Sequence, residues 1–168
     1  MELTKIERLI LSHQFSILAK LDPQEATHYS QAREILENGY VLQYRDLFEA
    51  VGEGLTTEEC REVFDILDMH RTLLDAYERL DNKDGIEESE LSFRGFDGNH
   101  ETRYMGYAEF LIHKQGRWPE SKHGDINSHR QTLDRYRILL ERWKASTDRH
   151  HLTEEDLRRI VAPINWQS

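Results

Sequence analysis

The stretch LTTEECREVFDILDMHRTLLDAYERL, residues 55–80, reads as one long helix. Leu55-Thr56-Thr57-Glu58-Glu59 launches it, and Cys60, Val63, Phe64, Leu67, His70, Leu74, Tyr77 and Leu80 fall on one side. The helix is expected to last to about Asp81. Upstream, Gly52-Glu53-Gly54 separates it from a shorter helix expected from Tyr40 to about Ala50. Further upstream, Ile6, Leu9, Ile10, His13, Ile17, Leu18 and Leu21 make a helical stripe. Asp22-Pro23-Gln24-Glu25 reads as a cap, a first-turn proline and a capping-box Glu that open a second helix with Ala26, Tyr29, Ala32 and Leu36, stopped by Asn38-Gly39. Residues 1–39 are therefore a helical hairpin.

Downstream, Ser128-His129-Arg130-Gln131 reads as a capping box ahead of Leu133, Tyr136, Leu139, Leu140 and Trp143. Leu152-Thr153-Glu154-Glu155-Asp156-Leu157 opens a last helix, with Leu152 and Leu157 spaced for a hydrophobic staple, and Pro163 closes it. No alternating strand pattern and no internal repeat appear. The fold class is all-α and multihelical, with about six to seven helices in a single domain over residues 1–165. Residues 82–94 are the place for a subdomain break.

Composition narrows the function classes. The 168 residues carry a net charge of -10, three prolines and one cysteine. Cys60 alone makes neither a disulfide nor a thiolate zinc site, and it suits a reducing cytoplasm. The N-terminus lacks a signal-peptide pattern, and no apolar run approaches the ~20 residues of a membrane span. Residues 46–101 hold 17 acidic and 5 basic side chains, which repels phosphate backbones, so no nucleic acid is expected as a partner. Asp81-Asn82-Lys83-Asp84-Gly85 fails as a calcium loop because Leu80 and Leu91 occupy positions that need carboxylates. The nine histidines include no HExxH, so no metal and no cofactor are expected.

SFRGFDGNHETRYMGYAEF, residues 92–110, is the densest polar cluster. Gly95 and Gly98 allow positive backbone angles, and Asp97 or Asn99 can cap the helix that follows. The remaining polar groups make Asp97, Glu101, Tyr104, Tyr107 and Arg117 candidate ligand-binding residues around a pocket at 97–118. Amides at a helix start favour anions while Asp97 and Glu101 favour cations, so a bare phosphate site is disfavoured.

GFDGNHETRYMGYAEFL (95–111), GRW (116–118), LDRYRILLERW (133–143) and HHLTEEDLRRIV (150–161), with the opening LTKIERLILSHQFSILAKLDP (3–23), resemble the YfbU family of bacterial proteins over nearly the whole chain. The resemblance implies a small, cytoplasmic, all-helical bacterial protein and carries no reaction. Histidine at position 100 departs from the family pattern, which sets His100 aside as a site residue.

With no recognisable catalytic motif, the leading reading is a non-enzymatic interaction or regulatory protein that self-associates, most simply as a homodimer, and presents an acidic surface to a protein partner. An exposed apolar patch bearing Phe15, Tyr29, Phe48 or Trp166 would mark the interface. The alternative is a small-molecule or metal-dependent ligand-binding protein or hydrolase, with Asp97 or Glu101 as base or metal ligand and Arg117 as an anion clamp.

Overall fold

A computed structural model describes residues 2–52 and 54–164. Among them the regular structure is helical: no strand forms, and one isolated parallel bridge joins Phe96 to Asn127. The chain divides into two compact units, Met1–Glu53 and Gly54–Ser168.

The first unit is a hairpin of α1 (Lys5–Leu21) and α2 (Ala26–Asn38), followed by a short α3 (Tyr44–Leu47). Thr4 opens α1 with a reciprocal capping box to Glu7. Asp22 does not cap α2: its backbone turns to φ -127°, ψ 86°, and Pro23–Glu25 form a 3-10 turn before α2 begins at Ala26. Gly39, at φ 72°, ends α2 in the left-handed conformation that its missing Cβ permits. The helix expected from Tyr40 to Ala50 is only a 3-10 turn, Val41–Gln43, and the four-residue α3.

α1 meets α2 through the side carrying Ser12 and Phe15. Ser12 is buried, Phe15 packs on Tyr29 with ring centroids 6.2 Å apart, and Ala32, Leu36 and Tyr44 are also buried. The stripe Ile6, Leu9, Ile10, Ile17, Leu18 and Leu21 lies on the opposite side, in solvent. Periodicity identified an apolar stripe, but a helix with small or aromatic residues on its other side can pack there instead.

In the second unit α4 (Thr57–Glu78) packs against α5 (Glu88–Leu91), α6 (Thr102–Glu109), α7 (Leu133–Lys144) and α8 (Glu154–Val161). Capping boxes at Thr56 with Glu59 and at Thr153 with Asp156 start α4 and α8. Leu152 and Leu157 are both buried. α6 runs on into a π-turn at Phe110–Lys114. Val63, Ile66, Leu67, Met69 and Leu73 of α4 are buried in the core that Leu111, Leu139 and Ile160 complete. Residues 82–94 contribute Ile86, Leu91 and Phe93 to this same core, within the second unit.

Ser128 does not cap α7. Its hydroxyl donates to Arg130 O at 2.6 Å, His129 turns to φ 54°, and the helix begins only at Leu133, without a side-chain cap from Thr132. The acceptor for the first α7 amides comes from another part of the chain.

Candidate functional site

That acceptor is Glu101, at the end of the GFDGNHE run. Its buried carboxylate accepts from the amides of Thr132 at 2.9 Å, Leu133 at 2.8 Å and Asp97 at 2.9 Å. Glu101 is thus a tertiary N-cap, and its charge sits at the positive end of α7. Asp97 is also buried, and its carboxylate accepts from the His100 imidazole. That bond, with the Asn99 and His100 amides, holds the Asp97 carboxyl below the usual range. Neither Asp97 nor Asn99 caps α6; Asp97 closes the turn ahead of it. Gly95 O accepts from Thr132 Oγ1 at 2.9 Å and from Tyr136 Oη at 3.1 Å, tying the motif to α7.

Of the five candidate residues, Asp97 and Glu101 are joined by a hydrogen bond, and the other three have partners of their own. Tyr104 Oη donates to Glu62 Oε2 at 2.9 Å, and burial beside that carboxylate pushes the phenol up to about 12. Tyr107 packs on Phe64 with centroids 6.1 Å apart, and burial raises its phenol too. Arg117 lies 4.4 Å from the ring centroids of both Phe64 and Trp118. Asp97 and Glu101 are joined through the Asp97 amide, with Glu101 turned to α7 and the Asp97 carboxylate to its own loop, while Tyr107 and Arg117 share Phe64. Among the described residues no three His, Cys, Asp or Glu side chains gather as a metal-ligand set.

The acidic surface expected of residues 46–101 is also partly neutralised. Arg137 makes a bidentate pair with Glu62 at 2.8 and 3.0 Å, and Lys144 pairs with Asp65 at 2.5 Å. α7 lends its cations to α4, an exchange that regional charge sums do not register.

Thr132 and Tyr136 also line a groove of about 300 Å³ with His70, Glu90, Arg94, Arg130 and Arg135. His70 Nδ1 donates to Leu91 O at 2.6 Å and the ring packs edge-on against Tyr136 at 5.0 Å. Its Nε2 is buried with no partner among the described residues. Burial pushes His70 down to about 4, so the ring is neutral at pH 7 and Nε2 carries a lone pair. Arg94 Nε donates to Ser89 O at 2.8 Å, while the guanidinium groups of Arg130 and Arg135 make no ion pair among the described residues. Three arginines against one glutamate make the groove locally cationic within an acidic chain. Little in the sequence points to it, because Arg94 stands in the most acidic segment and Arg130 reads as part of a capping box.

A neutral buried histidine has a thermodynamic consequence. The folded His70 value of about 4 lies below an unfolded value near 6.5, so the unfolded chain takes up the proton first. Its contribution is complete above pH ~6.5 and falls as pH drops toward 4, reaching a loss of about 2 kcal/mol at pH 5. Urea unfolding of the parent and of His70→Asn at pH 7.5 and pH 5 checks this. The parent should lose about 2 kcal/mol more than the variant on acidification; equal losses would mean His70 is already protonated or solvated.

The outer side of α1 is the other feature in need of a role. Ile6, Leu9, Ile10, Ile17, Leu18 and Leu21 are between 39% and 75% exposed. Phe15, Tyr29 and Phe48, expected on an exposed patch, are half-buried instead, and Trp166 lies outside the described residues. No helix among the described residues is long and apolar enough to cross a membrane. A family model described as YfbU domain matches residues 1–162 of the chain.

Proposed function

Starting from the premise that the chain belongs to the YfbU family, we propose that it is a non-enzymatic interaction protein whose first unit is an association module. One observation carries this reading: α1 is apolar on both sides, and only one of them is covered by α2. At roughly 200 Å² for a fully exposed Ile or Leu, the outer six residues leave about 700 Å² in water. The largest apolar patch of a typical monomer is ~300–600 Å², and each partner in a standard interface contributes ~800 Å². A 53-residue hairpin whose buried residues are Ser12, Ala32, Leu36 and Tyr44 also has a small core to hold it folded alone.

The single cysteine supports a cytoplasmic, reducing setting. The carboxylates of α4 not engaged by α7, such as Glu58 and Asp75, remain for a cationic protein partner. Sedimentation equilibrium of the full chain from micromolar to hundreds of micromolar tests the reading. A mass that rises to twice the 20.0 kDa of the protomer supports it; a single 20.0 kDa species throughout removes it.

A second reading rests on the three arginines, Arg94, Arg130 and Arg135, that line the groove with His70: the groove takes a small oxyanion. Such an anion would favour protonated His70 and raise its midpoint. Millimolar inorganic phosphate should then reduce the acid destabilisation of the parent and leave His70→Asn unchanged.

A further inference from the structure

We propose that α1 packs antiparallel on α1 of a second copy of this chain, about a two-fold axis passing between His13 and Gln14. The inference rests on the self-association reading above and specifies its geometry. The outward face of α1 consists of two neighbouring i, i+4 ridges, Ile6–Ile10–Gln14–Leu18 and Leu9–His13–Ile17–Leu21. Read backwards, each ridge reproduces the other: Leu21 takes the place of Ile6, Ile17 of Ile10, His13 of Gln14 and Leu9 of Leu18. Apolar positions fall on apolar positions, and the one polar position of each ridge falls on the other.

This is the symmetry an isologous interface requires, because a two-fold axis lays the same patch on itself. Ile6 then lies opposite the partner copy's residue 21, Ile10 opposite its residue 17, and His13 opposite the amide at its residue 14. Ridges spaced by four residues pack by the commonest helix–helix class, in which the ridges of each helix enter the grooves of the other. The antiparallel sense also sets the two helix dipoles head to tail, whereas a parallel pair sets them side by side and brings His13 against its own copy.

Two charges flank the seam, Glu7 and Lys20, each about 70° from its centre, and the same two-fold sets Glu7 opposite the partner copy's residue 20, so they meet with opposite sign. At 100° per residue, Ile6, Ile10, Ile17 and Leu21 fall within about 60° of arc, while Lys5 and Asp22 lie more than ~100° from its centre. Ser12 and Phe15 are on the far side against α2, so pairing leaves the hairpin contact intact.

The test uses the full chain in a Cys60→Ser background. Ile10→Lys and Ile17→Lys each enter the seam twice in a two-fold dimer and should weaken association at least ~100-fold. Both positions face solvent in a single copy, so helicity by circular dichroism should be unchanged. Gln31→Lys on the exposed side of α2 should leave association as in the parent. Under oxidation, a mixture of Ile10→Cys and Ile17→Cys chains should form a disulfide-linked heterodimer, and neither chain alone should link to itself. Self-linking of Ile10→Cys would overturn the antiparallel register. A parent dimer that ignores both lysine substitutions would overturn this face while leaving self-association standing, and a parent that stays monomeric would overturn both.

Discussion

Replacing Glu101 by alanine should destabilise the second unit by about 4 kcal/mol, because it removes a buried acceptor that no neighbouring group can replace. The carboxylate takes hydrogen bonds from the Asp97, Thr132 and Leu133 amides. Hydrogen bonds to a charged acceptor contribute about 1.5–3 kcal/mol each, and orphaned buried donors cost about 1–3 kcal/mol. Loss of a negative charge at the α7 N-terminus adds up to about 1 kcal/mol. Against this stands the desolvation of the carboxylate, several kcal/mol that alanine relieves, which keeps the total near 4 rather than near 8. Glu101→Gln retains one acceptor oxygen and should lose roughly half as much. In thermal unfolding, alanine should lower the midpoint by roughly 10 °C. A loss under about 1 kcal/mol would mean that the α7 amides find other acceptors and that Glu101 is free for ligand chemistry.

Glu101 also marks where sequence reasoning stops being local. The starts of α4 and α8 were legible because Thr56 with Glu59, and Thr153 with Asp156, close their capping bonds within three residues. The start of α7 was misread at Ser128 because its real cap arrives from 31 residues upstream, and no sequence window contains both ends of that bond. The N-terminal stripe illustrates a second limit. A period of 3.6 shows that α1 has an apolar face but not which surface covers it, and the residues that turned to α2 include Ser12 and Ala19, which carry little hydropathy signal. The candidate cluster at 97–118 was legible as a special stretch. What remained hidden was that Asp97 and Glu101 spend their acceptor capacity on the chain's own amides, while Arg94, Arg130 and Arg135 meet only through tertiary folding.

The second large effect is expected at Gly95→Ala, at about 4 kcal/mol or more. Gly95 sits at φ 81°, a region that costs an L side chain about 1–2 kcal/mol by itself. A Cβ there would also lie 2.1 Å from Ile126 O, 2.3 Å from Ile126 C and 2.8 Å from Asp125 O, all backbone atoms without a rotamer to move. The two segments are held together by Phe96 N–H donating to Ile126 O at 2.9 Å and Ser128 N–H donating to Phe96 O at 3.1 Å. Relieving the clash means opening this bridge, at about 1 kcal/mol for each bond, and it displaces Gly95 O from the Thr132 and Tyr136 hydroxyls. Gly106→Ala is the internal control: it lies within α6, a Cβ there meets nothing within 4 Å, and the substitution should stabilise by roughly 0.5–1 kcal/mol. Urea unfolding of the two variants beside the parent should therefore move the midpoint in opposite directions. If Gly95→Ala instead unfolds within 1 kcal/mol of the parent, the junction between residues 95–98 and 125–128 is compliant. The motif would then be a movable flap beside the arginine groove and not the rigid wall that the hydrogen bonds from Thr132 and Tyr136 to Gly95 O describe.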